Sequence, residues 1–220
     1  MRTLVLSGVC YCRRTMVLRA RWRGSPWEAG MVLDTATAQQ QVLDAADALF
    51  YERGVQAVGM DAIRAASGVS LKRLYQLFPS KDALIEAYLD RRDALWKSML
   101  AEHVEAQTDP RERILAVFDF LYDWSSQRDY RGCAFINAFG ELGAVSPRVA
   151  EMASRHKEGF RQALTELAQE AGADDADRLA DHLILLSEGA ITRAAISGSA
   201  DPALRAREAA TMILDASTKA

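Results

Sequence analysis

The stretch Gly68-Val69-Ser70-Leu71-Lys72-Arg73-Leu74-Tyr75-Gln76-Leu77-Phe78-Pro79-Ser80-Lys81-Asp82-Ala83-Leu84 contains one short helix together with its punctuation. Ser70 suits a helix N-cap and Pro79 a boundary, which predicts a helix over 71–78. At 100° per residue, Leu71, Leu74 and Phe78 fall within about 60° of one another and form a packing side. Lys72, Arg73 and Gln76 fall opposite, with Tyr75 at the edge. Two cations, an amide and a phenol suit a major groove, because Arg forks onto guanine and Gln onto adenine, while Leu71 can touch a thymine methyl. An ordinary solvated face carries the same residue types, and geometry alone weighs the two readings about equally.

Upstream, Val42, Ala46, Leu49 and Phe50 share one face of a helix predicted over 37–53, which Gly54 stops. Met60, Ile63 and Ala66 do the same for a helix over 59–67, ended by Ser67 and Gly68. Two short helices joined by a tight Gly-containing turn describe a helix-turn-helix. Downstream, Pro110, Pro147 and Pro202 each precede an apolar pattern recurring at three and four residues. Helices are predicted over 80–104, 110–128, 133–142, 147–171, 174–198 and 202–217, and no segment alternates as a strand does. The expected fold is all-α with about nine helices: a three-helix DNA-binding domain over 31–82, then a helical bundle over 83–220.

The composition agrees with this division. The chain has 220 residues, half apolar and 26% charged, which excludes a disordered or collagen-like chain. Thirteen Gly and five Pro are too few for a loop-rich sandwich or barrel. The net charge of −3 is unevenly spread: residues 1–30 hold six Arg against Glu28, whereas the acidic excess lies beyond residue 82. Nucleic-acid binding must therefore come from a local patch, such as Lys72, Arg73 and Lys81. Residues 1–30 read as an unstructured tail or a start assigned too far upstream; the alternative is a basic arm entering a minor groove. Cys10, Cys12 and Cys133 have no disulfide-framework spacing, and no apolar run reaches membrane-spanning length, so a cytoplasmic protein without a membrane partner is expected.

The quoted run, with Val42-Leu43-Asp44-Ala45-Ala46, Leu49-Phe50, Arg53-Gly54 and Ile63 before it, resembles the DNA-binding signature of the tetracycline-repressor-like (TetR) family. The resemblance implies that Ser70 caps the reading helix. It also implies that Leu71, Lys72, Arg73 and Gln76 meet base edges, Tyr75 reaches a phosphate through its hydroxyl, and Lys81 meets phosphate at the start of the fourth helix. Gly59 stands where the family often has Ser or Thr, so only its backbone N–H is available to phosphate. Arg64 and Ala62 also depart from the family's usual residues.

Beyond residue 83 the resemblance covers helical layout alone. Aromatic and apolar bulk at Trp96, Leu100, Phe118, Leu121, Tyr122, Phe135, Phe139 and Phe160 offers lining for a ligand cavity, with Asn137 as its polar handle. The plainer alternative is that these residues are core and Asn137 bonds to backbone. Leu185, Leu186, Gly189, Ala190, Arg193 and Ala194, with Leu204, Ala209, Met212 and Ile213, combine small and apolar types that let helices approach closely. In TetR-like proteins the matching pair forms a four-helix bundle with a two-fold mate. The three histidines lie on different predicted helices without metal-ligand spacing, and no nucleophile elbow or phosphate loop appears, so no enzyme, metal or cofactor is expected. The expected partners are an operator in double-stranded DNA, a small-molecule effector and a second copy of the chain. The rival expectation is a binding or enzymatic protein that kept the fold and lost DNA binding, for which the acidic bulk and Gly59 speak.

Overall fold

The computed structural model describes residues 34–217; the basic extension, with Cys10 and Cys12, lies outside them. Among the described residues there are nine α-helices and no strand. They are α1 (Thr35–Arg53), α2 (Met60–Ser67), α3 (Leu71–Leu77), α4 (Lys81–Glu105), α5 (Pro110–Ser125), α6 (Ala134–Leu142), α7 (Pro147–Glu170), α8 (Ala176–Ser197) and α9 (Asp201–Ser217).

Local chemistry sets most boundaries. Side chains of Asp34, Ser70, Ser80, Asp109, Ser146 and Asp175 accept backbone N–H groups at six helix starts, and Pro110 and Pro147 occupy first-turn positions whose N–H has no intrahelical partner. Gly68 and Gly198 end α2 and α8 in the left-handed conformation. The predicted end of α5 moves: the hydroxyls of Ser125 and Ser126 fold back onto the Tyr122 carbonyl, and the helix stops at Ser125 rather than 128.

α5 is apolar around much of its circumference, burying Ile114, Leu115, Val117, Phe118, Phe120, Leu121 and Trp124, and it packs against α4, α7, α8 and α9. α4 joins the two halves. Its first turns bury Leu84, Ile85, Tyr88 and Leu89, where it packs on α1, and its later turns bury Trp96, Leu100 and Val104 in the bundle. One continuous apolar core therefore runs from Val42 and Phe50 to Leu214. No helix among the described residues is long and apolar enough to cross a membrane.

Candidate nucleic-acid interface

The helix-turn-helix is held by its apolar side, as the spacing requires. Leu74 and Phe78 of the α3 region, Ile63 of α2 and Val42, Ala46 and Phe50 of α1 are buried together. Ser70 caps α3 by accepting the Arg73 N–H at 3.3 Å. Leu71 departs from the expected packing side: it is 40% exposed, because a residue at the first helical position aims back over the cap instead of down onto α1 and α2. Ala66 is exposed as well.

Lys72 and Gln76 are exposed, and Tyr75 is 45% exposed, further out than the edge position read from the wheel. Arg73 is half-buried. Its Nη2 donates to Thr35 Oγ1 at 2.5 Å and its Nη1 to Gln76 Oε1 at 3.4 Å, so the guanidinium lies between α1 and its neighbour one turn along. Thr35 was not legible as a partner, since nothing local links residues 38 positions apart.

Lys81 also has a partner within the protein: Nζ donates to the Gln56 carbonyl at 3.1 Å, in the turn between α1 and α2. Gly59 is the N-cap of α2 in extended conformation, with no side chain to accept an N–H and open space where a Cβ would stand. Lys72, Arg73, Lys81 and the free end of α2 thus lie on consecutive elements of one small unit, with Asp61 drawn to Arg64 at 3.6 Å.

The reading head is tied to the bundle through α6. Glu141 accepts the N–H groups of Val55 at 3.2 Å and Gln56 at 2.7 Å, and Gln56 Nε2 donates to the Glu141 carbonyl. At the other end of α6, the Tyr51 hydroxyl donates to the Gly132 carbonyl at 2.9 Å and accepts the Arg131 N–H at 3.0 Å. The Arg92 guanidinium of α4 sits 3.9 Å from the Tyr51 ring centre and pairs with Asp47 at 2.7 Å. None of Tyr51, Arg92 or Glu141 stood out in the sequence, because their partners are remote along the chain.

The bundle residues expected to meet a ligand are divided. Trp96 and Phe135, with Tyr51, Arg92, Met99, Cys133 and His156, border a small recess of about 20 Å³, room for roughly one water. Trp96, Leu100 and Phe160 line an open groove of about 340 Å³ between α4 and α7. Phe139, 53% exposed, lines a groove of about 300 Å³ between α6 and α7 together with Phe135. Phe118, Leu121 and Tyr122 border none of these and pack in or against the core. Asn137 is exposed, and its Nδ2 donates to the Arg131 carbonyl at 2.9 Å, so it steadies the turn before α6 instead of pointing inward.

On α8 and α9, Leu185, Gly189, Arg193, Leu204 and Met212 face outward, the first three lining a groove of about 540 Å³ between the two helices. Leu185 is 70% and Met212 72% exposed. Ile196, at 76%, extends the row and was missed. Ala190 and Ala194 are buried against the chain's own core, Ala190 at the floor of the groove, while Leu186, Ala209 and Ile213 are half-buried at the edge. Ala190 and Ala194 therefore serve packing within the subunit, while Leu185 and Ile196 stand on the outer face. Among the described residues no three His, Cys, Asp or Glu side chains gather as metal ligands.

Residues 42–88 match the family model for bacterial regulatory proteins of the tetR family, and residues 110–210 match the tetracyclin repressor-like C-terminal domain. The chain is 32% identical over 138 residues to the HTH-type transcriptional activator FasR of Mycolicibacterium smegmatis, an alignment covering 63% of this chain and 62% of that one. The chain thus spans under two thirds of that relative's length. A protein of Streptomyces avermitilis described as a TetR transcriptional regulator is 34% identical, with a TM-score of 0.73 over 82% of this chain and 97% of its own. A TetR-family transcriptional regulator of Streptomyces coelicolor superposes with a TM-score of 0.79 at 27% identity, over 84% of this chain and 97% of its own.

Proposed function

The chain belongs to the TetR family of bacterial regulatory proteins, and on that premise we propose that it is a cytoplasmic, ligand-responsive transcriptional repressor that binds a pseudo-palindromic DNA operator as a homodimer. The observation that carries this reading is the α3 face: Leu71, Lys72, Tyr75 and Gln76 stand exposed on a helix whose other side is locked into the core. Arg73 is held at its edge by Thr35, already ordered for a base or phosphate contact.

The unburied apolar row on α8 and α9 supports a two-fold mate, which two half-sites one turn of DNA apart require. The apolar grooves lined by Trp96, Leu100 and Phe160 and by Phe135 and Phe139, with the ties from α6 and α4 to the reading head, support release by a small apolar or aromatic effector. Such a ligand must prefer the state in which the heads no longer fit, by about 1–3 kcal/mol of coupling.

Fluorescence anisotropy on the DNA flanking the protein's own gene tests the reading. The parent protein is expected to bind one site with strong salt dependence. Arg73→Ala and Gln76→Ala should each weaken binding by about 1–3 kcal/mol and relax preference at one base position. Equal binding of parent and both variants at every sequence would assign the chain to the rival class, a protein of this fold that does not read DNA.

A further inference from the structure

The outer side of α3 is lopsided in its hydrogen-bonding chemistry. Lys72 and Arg73 carry donors and no acceptor, and the first turn holds no acidic residue. Apart from the Tyr75 hydroxyl, the side-chain acceptor on α3 is Gln76 Oε1, and Arg73 Nη1 already donates to it at 3.4 Å. Because a guanidinium only donates, this contact fixes how the amide lies: Oε1 towards Arg73, Nε2 away from it.

Thr35 fixes the other end of the arrangement. It is the first residue of α1, and its Oγ1 accepts Arg73 Nη2 at 2.5 Å. The turn that carries it is held in place, since Asp34 accepts the Thr37 N–H at 3.0 Å and the Thr37 hydroxyl, and Ala38, one turn on, is buried. The guanidinium is thus stretched between α1 and the next turn of α3, and its rotamer is set before DNA arrives.

That setting changes what Gln76 can read. A glutamine pairs with adenine by accepting from N6 through Oε1 and donating to N7 through Nε2. Here the N6 donor would meet the cation that shares Oε1, a repulsive contact. Guanine presents acceptors at both O6 and N7, which suit Nε2 and the remaining Arg73 donors without that conflict.

We propose that Thr35 is a positioning residue for base reading, and that the Thr35–Arg73–Gln76 relay makes α3 a reader of guanines at neighbouring base pairs, with Gln76 donating to guanine instead of pairing with adenine. Thr35 itself touches no base; its hydroxyl acts by holding Arg73. The proposal rests on the DNA-binding reading above and specifies the half-site that reading leaves open.

The full chain is used to enrich binders from a random duplex library, and the sequences retained by the parent, Thr35→Val, Thr35→Ser and Gln76→Glu are compared, with melting temperatures in parallel. The parent should enrich neighbouring guanines. Thr35→Val, which keeps the shape and loses the hydroxyl, should lower guanine preference at the Arg73 position by about tenfold. Its melting temperature and its affinity for duplex lacking the site should stay at the parent's level, and Thr35→Ser should retain the preference. Gln76→Glu keeps an acceptor for Arg73 and loses the amide donors, so it should exchange guanine for cytosine at the other position. Adenine in the parent at the position that Gln76→Glu changes, unchanged preference in Thr35→Val, or an equal loss at all sequences, as a phosphate contact from Thr35 would give, overturns the relay and leaves base reading by α3 standing. A parent that enriches no sequence removes the DNA-binding reading and the relay together.

Discussion

Glu141 and Gln56 clasp one another: the Gln56 N–H donates to the Glu141 carboxylate at 2.7 Å, and the Gln56 side-chain amide donates to the Glu141 carbonyl. The same carboxylate accepts the Val55 N–H, and the turn makes room for it with Gly54, where an added Cβ would stand 2.6 Å from Glu141 Oε1 at a φ of +89°. A carboxylate between two backbone donors supplies acceptors that an alanine removes, at a cost of about 1–3 kcal/mol for donors left unpaired.

Glu141→Ala should therefore lower thermal stability by that order and weaken operator binding equally across sequences, because it slackens the head without touching a base. Glu141→Gln, which keeps one acceptor oxygen, should fall between the two. Parallel denaturation and anisotropy titrations check this; a change in sequence preference in Glu141→Ala would show that the clasp shapes α3 itself.

Gly59 offers a gain of function. Its backbone is already extended, as an N-cap requires, its carbonyl accepts the Ala62 and Ile63 N–H groups, and a side chain there meets open space. Gly59→Ser should raise stability by a few tenths of a kcal/mol. It should also tighten DNA binding uniformly, since the hydroxyl adds a phosphate contact at the exposed start of α2. Affinity unchanged at every salt concentration would place phosphate away from this helix end.

What the sequence revealed followed from local rules. The cap at Ser70, the stops at Gly54 and Gly68 and the prolines at 110, 147 and 202 placed helix boundaries mostly within two residues, because those signals act over one turn. The packing side of α3 was legible in Leu74 and Phe78 and misread at Leu71, where the wheel ignores the direction of a first-turn side chain. Arg73 and Lys81 were read as meeting DNA; their bonds to Thr35 and Gln56 within the chain depend on how α3 and α4 are brought against α1 and the turn after it. Ala190 and Ala194 were placed on the outer face by composition, which does not distinguish small residues that admit a mate from those that admit the chain's own α9 or α7.

Exposure of Leu185 and Met212 on neighbouring helices sets up a test of assembly. Large apolar side chains at 70% and 72% exposure add little to the stability of a lone subunit, so charging them costs the fold under about 0.5 kcal/mol. Leu185→Glu with Met212→Glu should give a monomer by sedimentation at micromolar concentration, with a melting temperature close to the monomer limit of the parent. Binding to a full operator should drop to the level of an isolated half-site. A dimer surviving both substitutions would move the two-fold interface elsewhere.

The buried imidazole of His156 makes stability depend on acidity in a definite direction. Burial lowers its pKa from 6.5 to about 4, outweighing the opposing pull of Asp93 on α4, while Lys157 on α7 and Lys97 on α4 act with burial. The unfolded chain takes a proton as pH falls through 6.5, and the folded chain refuses it until about 4, so stability is lost across that window and not above it. At 1.36 kcal/mol per pH unit of displacement the loss reaches about 3 kcal/mol, and below the window Asp93, itself held below its ordinary value, adds further loss as it protonates. Chemical denaturation at pH 7.5, 5.5 and 4.5 should show this decline in the parent. His156→Gln, less stable at pH 7.5 because it gives up the stacking on Phe135, should decline more gently between 6.5 and 4.5. Parallel slopes in the two proteins would mean that other groups carry the acid sensitivity and that the folded His156 accepts its proton as readily as an exposed one.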